Sequence, residues 1–227
     1  PWGAQWCLLE QQSWPWRDEL QQRYVGARRM AGMLPVGTRP DDPIPRLSFF
    51  WSVPTALLDA AAVDARAWRR EVASVWPQAA ELLHAIPVPE GLAAGRYRDV
   101  AHRHWHRRCA VLLGDAAHAM SPQLGQGVNM ALLDARGLRD ALRVASSLPV
   151  ALGLYQQARR AHVGAYHFWS RWLTPLFQSE RDRLAAVRDV LMHPLSRLPG
   201  GRGQMLRVLT GTRSGWWRTH ALAPGFL

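Results

Sequence analysis

The residues best placed to do chemistry lie between Cys109 and Asn129. An apolar run, Cys109 to Leu113, ends in Gly114-Asp115, and Ser121-Pro122-Gln123-Leu124-Gly125-Gln126-Gly127-Val128-Asn129 follows. The order reads as a buried strand, an exit marked by a carboxylate, a proline-braced loop and a glycine-rich entry into a helix. That order builds a nucleotide-cofactor site. Asp115 would sit at the carboxyl end of the strand, where ligands bind in open α/β sheets. An ionised carboxylate there makes strong hydrogen bonds to sugar-like hydroxyls; the other reading is a turn cap. Gly125 and Gly127 leave the backbone bare, and the first turn of the helix offers free N–H groups and a positive dipole end. A pyrophosphate or ring carbonyl suits that position. Asn129 is the only Asn in the chain, in a composition with no Lys and with Ile only at positions 44 and 86. Under such GC-rich coding pressure a retained Asn points to a chemical need.

The elements that must position these residues follow from periodicity. The helix after Gly127 carries apolar residues at Val128, Leu132, Ala135, Leu138 and Leu142, a helical spacing. Upstream, strands are expected over Gln5–Glu10, Arg23–Leu34 and Leu47–Val53, with Pro35, Pro40, Pro43 and Pro45 breaking the middle into loops. A helix is expected from Asp64, its N-cap, to His84, with Val72, Val75, Ala79, Leu82 and Leu83 as its stripe. Val88–Ala94 reads as a loop and Tyr97–His104 as a strand. Downstream, helices are expected over Val150–Trp172, Ser179–Met192 and Gln204–Leu209. His102, His104 and His106 alternate as on a strand; with no carboxylate or cysteine to complete a set, they read as a polar face rather than a metal site. His118 reads as a structural residue of the loop, since nothing pairs it with a second titrating group.

The Gly114-Asp115 motif with Pro122 and Gly125 to Asn129 resembles the flavin-binding signature of the FAD-dependent aromatic hydroxylases, the p-hydroxybenzoate hydroxylase-like monooxygenases. The opening PWGAQW, then RYVGARRMAGMLPVG and LSFFWSVP, are similar to the family's middle-domain strands. Ser170 to Trp217 is similar to the tail of ubiquinone-biosynthesis-type members. The resemblance implies FAD as cofactor, with Gly114 and Asp115 at its ribityl and phosphate region and Pro122 beside the ring. Gly125, Gln126, Gly127, Val128 and Asn129 would approach the pyrimidine end. It further implies NAD(P)H as reductant, molecular oxygen as co-substrate, and hydroxylation of an aromatic or lipid-like substrate through a flavin hydroperoxide. The family's opening βαβ unit with GxGxxG is not found: Met130 and Leu206 stand where a last glycine is needed. The middle Asp-Gly motif is also absent. The chain is therefore expected to be the C-terminal portion of such an enzyme, inactive alone. The other reading is a non-catalytic interaction module that kept the fold and lost the complete site.

The expected fold class is α+β: an antiparallel substrate-domain sheet with one helix over 1–104, the flavin-contacting part of an FAD-binding α/β domain over 105–172, and a helical tail over 173–227. The N-terminal βαβ unit is expected to be missing. Composition narrows the rest. The chain of 227 residues carries a net charge of +11, all 28 basic residues being Arg. The arginines are scattered and no nucleic-acid-binding signature accompanies them, which argues against that partner. Cys7 and Cys109 have no metal-like spacing; Cys109 reads as a buried small residue, and a reducing, cytoplasmic setting fits. No apolar stretch approaches the ~20 residues of a membrane span. Arg207, Arg213, Arg218 and Trp216-Trp217 give the tail a basic-aromatic character that suits a membrane surface, though a docked tail with solvated arginines is the preferred reading. Phe49, Phe50 and Trp51 are expected to wall an apolar pocket for a small apolar or aromatic substrate.

Overall fold

The computed structural model describes residues 2–58, 64–88 and 90–212; Arg213, Trp216, Trp217 and Arg218 lie outside the described residues. The residues up to Tyr97, with Pro175–Ala186, form one compact unit; Arg98–Thr174 and the residues from Val187 onward form a second.

The first unit is built on a five-stranded antiparallel sheet: β1 (Trp2–Glu10), β2 (Gln21–Val25), β3 (Arg29–Arg39), β4 (Asp42–Pro54) and β5 (Ala93–Arg96), in the order β2-β3-β4-β1-β5. Strand periodicity sends alternate side chains to opposite faces. Cys7 pairs with Phe49 and Leu9 with Leu47, so β1 and β4 bury one common face. After the short helix α1 (Thr55–Leu58), helices α2 (Ala65–Val75) and α3 (Pro77–Leu82) cover that face through Trp68, Val72, Trp76 and Ala79. The indole N–H of Trp68 donates to Gln5 Oε1 at 2.9 Å, so two buried polar groups satisfy each other. Asp64 caps α2 as expected, accepting from the N–H groups of Arg66 and Ala67.

Several expectations are corrected here. The expected strand Arg23–Leu34 is a hairpin, β2 to β3, because Gly26 turns the chain at φ +59°. Pro35, Pro43 and Pro45 do not make loops; they lie inside β3 and β4. Register shifts accompany Pro35–Arg39, and the opening of β4 up to Pro45 has a strand partner on one side only. Bulges and edges are where a residue without an N–H is tolerated in a sheet. The helix from Asp64 breaks at Trp76, which turns extended before Pro77, as steric pressure on a pre-proline residue requires. Val88–Ala94 and Tyr97–His104 are also revised: β5 begins at Ala93, and no strand spans 97–104. The N–H groups of Val100 and His102 bond instead to the carbonyls of Ala119 and Ala117.

In the second unit β6 (His106–Arg107) and β7 (Ala110–Val111) make a two-stranded hairpin. Helices α4 (Asp115–His118) and α5 (Gly127–Val144) follow, then α6 (Leu148–Phe177), α7 (Asp182–Arg197) and α8 (Gly201–Leu209), α6 and α7 each continuing across the boundary of the units. The expected buried strand Cys109–Leu113 shrinks to Ala110–Val111, and Cys109 is exposed in the hairpin turn beside Arg108, whose φ is +53°. Among the described residues this run pairs only with β6, and one two-residue partner cannot bury it.

Candidate cofactor site

Gly114 leaves the short strand at φ +54° and ψ −136°, and a Cβ there would lie 2.9 Å from that of Ala131 on α5. Only glycine meets both demands. Its N–H donates to Asp134 Oδ2 at 2.9 Å. Asp115 opens α4 with an exposed carboxylate that no described residue hydrogen-bonds. The loop then runs through exposed Pro122 to Gly125, left-handed at φ +62°, with open space around it. Helix α5 starts at Gly127 without a side-chain cap. A Cβ on Gly127 would lie 3.9 Å from Asp115 Oδ1. The site residues 114, 115 and 127 are thus brought together, and Gly127 and Val128 are exposed beside them. Uncapped N–H groups beside a free carboxylate can bind a ligand that carries both ring carbonyls and hydroxyls.

Gln126 and Asn129 are placed differently from the backbone they flank. Asn129 Nδ2 donates to Gln126 Oε1 at 2.7 Å, and Gln126 Nε2 donates to the Leu209 carbonyl at 2.6 Å.

Beneath the loop lies a cluster that the sequence reading missed. The Asp134 carboxylate, fully buried, accepts from Gly114 N–H, from His118 Nε2 at 2.5 Å and from Arg159 Nε at 2.8 Å. Burial pushes Asp134 up, but bonds from His118, Arg159 and Gly114 outweigh it and hold the carboxyl below its ordinary value. Since a carboxylate only accepts, His118 Nε2 carries the proton. His118 is structural, as expected, but for the opposite reason: it is paired with a titrating group. Burial, then the Asp134 charge, pushes the Tyr155 hydroxyl well up.

Asp134 also explains why α5 is rotated from its expected orientation. Val128 is 76% exposed, Leu132 60% and Leu142 49%, whereas Met130, Asp134 and Ala141 are buried. The ion pair with Arg159 fixes the inward face. A hydrophobic-stripe reading cannot see a charge buried with its partner; the legible signal was that Met130, Asp134, Gly137 and Ala141 share one helical face. On α6 the buried residues Tyr155, Arg159, His162, Tyr166 and Ser170 also recur at helical spacing. Polar atoms of Tyr155, Ser170 and the neighbouring buried His167 reach backbone carbonyls around the site: Tyr155 O–H to Leu112, His167 Nε2 to His118, and Ser170 Oγ to Ser121. His102, His104 and His106 do not line one strand, and among the described residues no group of His, Cys, Asp and Glu is placed to hold a metal.

In the first unit Phe49 and Trp51 belong to the core, so they do not wall a pocket; Phe50 alone of the three points to the other face. There it stands opposite Trp6 and covers Gly32, where any Cβ would collide with its ring. The Trp6 ring lies over Gly95, where a Cβ would come within 3.1 Å of it.

The FAD binding domain family matches residues 10–166. The chain is 40% identical over 151 residues to salicylate hydroxylase of Pseudomonas putida, covering 65% of this chain and 31% of that protein. It is 38% identical over 116 residues to the aurachin C monooxygenase/isomerase of Stigmatella aurantiaca, covering 51% of this chain and 30% of the relative. Among solved structures, Klebsiella pneumoniae HpxO complexed with FAD and uric acid superposes with a TM-score of 0.68 at 20% identity, over 92% of this chain and 53% of that one. The fold is therefore shared with FAD-binding monooxygenases. The chain spans about a third of the length of these curated relatives and about half of the solved structure.

Proposed function

The chain belongs to the FAD binding domain family, and from that membership we propose that the protein containing it is an FAD-dependent monooxygenase. Its substrate is an aromatic or lipid-like ring compound, its reductant NAD(P)H and its co-substrate molecular oxygen. The observation that carries this reading is the approach of the free Asp115 carboxylate to Gly127 at the uncapped start of α5.

The residues present fit FAD: a bare glycine cradle, a hydroxyl acceptor and a row of N–H donors stand together. FAD, when bound, supplies the redox chemistry and the activation of oxygen. Asp115 would accept hydrogen bonds from ribityl hydroxyls. The N–H groups of Gly127, Val128 and Asn129 would donate to carbonyls at the pyrimidine end, and Pro122 would border the ring. Gly114 and Gly125 keep side chains out of the approach. In the first unit Trp6 and Phe50 form an aromatic surface of the kind that seats a flat ring. Relatives named as a hydroxylase and as monooxygenases support the reaction class.

Among the described residues no helix is long and apolar enough to cross a membrane. Exposed Leu191, Leu195, Leu206 and Leu209 on α7 and α8 favour peripheral membrane contact of a cytoplasmic protein, which vesicle cosedimentation tests.

The complete protein, purified and incubated with FAD, is expected to retain flavin and to couple NAD(P)H oxidation to hydroxylation of an added aromatic compound. A protein that retains no flavin after that incubation contradicts the proposal.

A further inference from the structure

The turn that ends α8 is fastened by Gln126, the residue that precedes α5, and by two side chains of α6. Tyr166 O–H donates to the Val208 carbonyl at 2.9 Å, Gln126 Nε2 to the Leu209 carbonyl at 2.6 Å, and His162 Nε2 to the Gly211 carbonyl at 3.0 Å. Because a carbonyl only accepts, His162 carries its proton on Nε2, leaving Nδ1 to accept from Arg159 at 2.5 Å. The turn is thereby linked through Arg159 to Asp134, and through Asp134 to the Gly114 N–H. Gly211 is buried at φ +75°, and a Cβ there would collide with Asn129 Nδ2 and lie 2.7 Å from Gln126 Oε1. No L side chain suits that conformation or that space.

We propose that Val208–Gly211 is a positioning strap for the cofactor loop. It occupies the side chains of Gln126 and Asn129, which hold the start of α5 while their backbone and that of Gly127 face the ligand. Gln126, Asn129, His162 and Gly211 are positioning residues in this scheme, and flavin affinity depends on a segment about eighty residues from the loop in sequence, a separation seen in the Gln126–Leu209 bond. The inference rests on the reading that the loop meets flavin, so its test needs one readout without the cofactor.

The test substitutes Gly211→Ala in the complete protein. Hydrogen exchange of the amides at 130–133, the first that bond within α5, is measured without FAD, and FAD affinity is measured by flavin fluorescence. Amides of Ala151 to Tyr155 on α6, in the same unit, serve as the reference for global stability. The strap predicts faster exchange at 130–133 with the reference unchanged, and FAD binding about tenfold weaker, equivalent to roughly 1.4 kcal/mol. Unchanged exchange at 130–133 overturns the strap. Faster exchange with unchanged FAD affinity supports the fastening but overturns the loop's contact with flavin. Should Gly211→Ala fail to fold, Gln126→Glu removes the amide that donates to the Leu209 and Leu124 carbonyls while keeping an oxygen for Asn129, and the same outcomes apply.

Discussion

Asp134 and Arg159, on different helices, meet in a fully buried ion pair with Nε and Oδ1 2.8 Å apart. The pair joins the helix behind the cofactor loop to α6, and Asp134 binds the Gly114 N–H with its second oxygen. Removing Arg159 takes the guanidinium from a buried carboxylate to which His118 and Gly114 still donate, and breaking a buried ion pair typically costs about 3–5 kcal/mol. Arg159→Met is therefore expected to lower stability by about that amount, measured by denaturant unfolding. The double variant Arg159→Met with Asp134→Leu is expected to cost less than the sum of the two single changes, because no buried charge is left unpaired even though the Gly114 N–H and His118 lose their acceptor. Additive losses would mean that the two residues are not coupled.

Acid stability should fall in two stages. Burial holds His167 below its ordinary value, and its Nδ1 has no partner. A depressed folded value means the unfolded chain takes up the proton first, so stability present above pH ~6.5 declines below it. Asp134 is also depressed, by bonds that outweigh its burial; its contribution is present above pH ~3.9 and is lost as pH falls through its lower folded value. Melting temperature followed from pH 8 to 3 is expected to show both declines, and His167→Gln should remove the upper one. An upper limb that survives His167→Gln would assign it to another group.

The two cysteines should differ sharply in reactivity. Cys109 is exposed in the β6–β7 turn, whereas burial raises the Cys7 thiol from 9.0 to about 11. The thiolate is the reactive form, so a thiol reagent at pH 8 is expected to label Cys109 alone, and Cys7 only after unfolding. The raised value also means that Cys7 contributes stability fully below pH 9.0, lost as pH rises through about 11. Rapid labelling of Cys7 in the folded protein would contradict its place in the sheet core.

Much of this was legible in the sequence because it is local. Asp64 caps its helix, and Leu47, Phe49, Trp51 and Val53 alternate into the core as period two requires. The order of glycines, Asp115 and Pro122 marked the loop. What escaped depends on partners distant in the chain. Asp134 is polar and central in its helix, and donors from His118, Arg159 and Gly114 make its burial tolerable, which turned α5 away from its apolar stripe. Pro43 and Pro45 sit in a strand because the sheet leaves that stretch an edge. Gly211 gave no local sign of contact with Asn129. The strand before Gly114 looked buried from its composition alone, yet burial comes from neighbours, and among the described residues it has one short partner.

The cofactor role of Gly127 and Asp115 is the claim on which the functional account stands. Gly127→Val places a branched side chain against Asp115 at the start of α5, where a Cβ alone lies 3.9 Å from Oδ1. Leu142→Val, on an exposed face of the same helix, is the matched control. Asp115→Ala, losing charge-assisted bonds of about 1.5–3 kcal/mol each, should weaken FAD by roughly ten- to a hundredfold. The decisive measurement is flavin content and FAD affinity of the complete protein carrying Gly127→Val, beside the Leu142→Val control. The account predicts that Gly127→Val loses flavin and hydroxylation together while Leu142→Val keeps both; normal flavin content and turnover in Gly127→Val would contradict it.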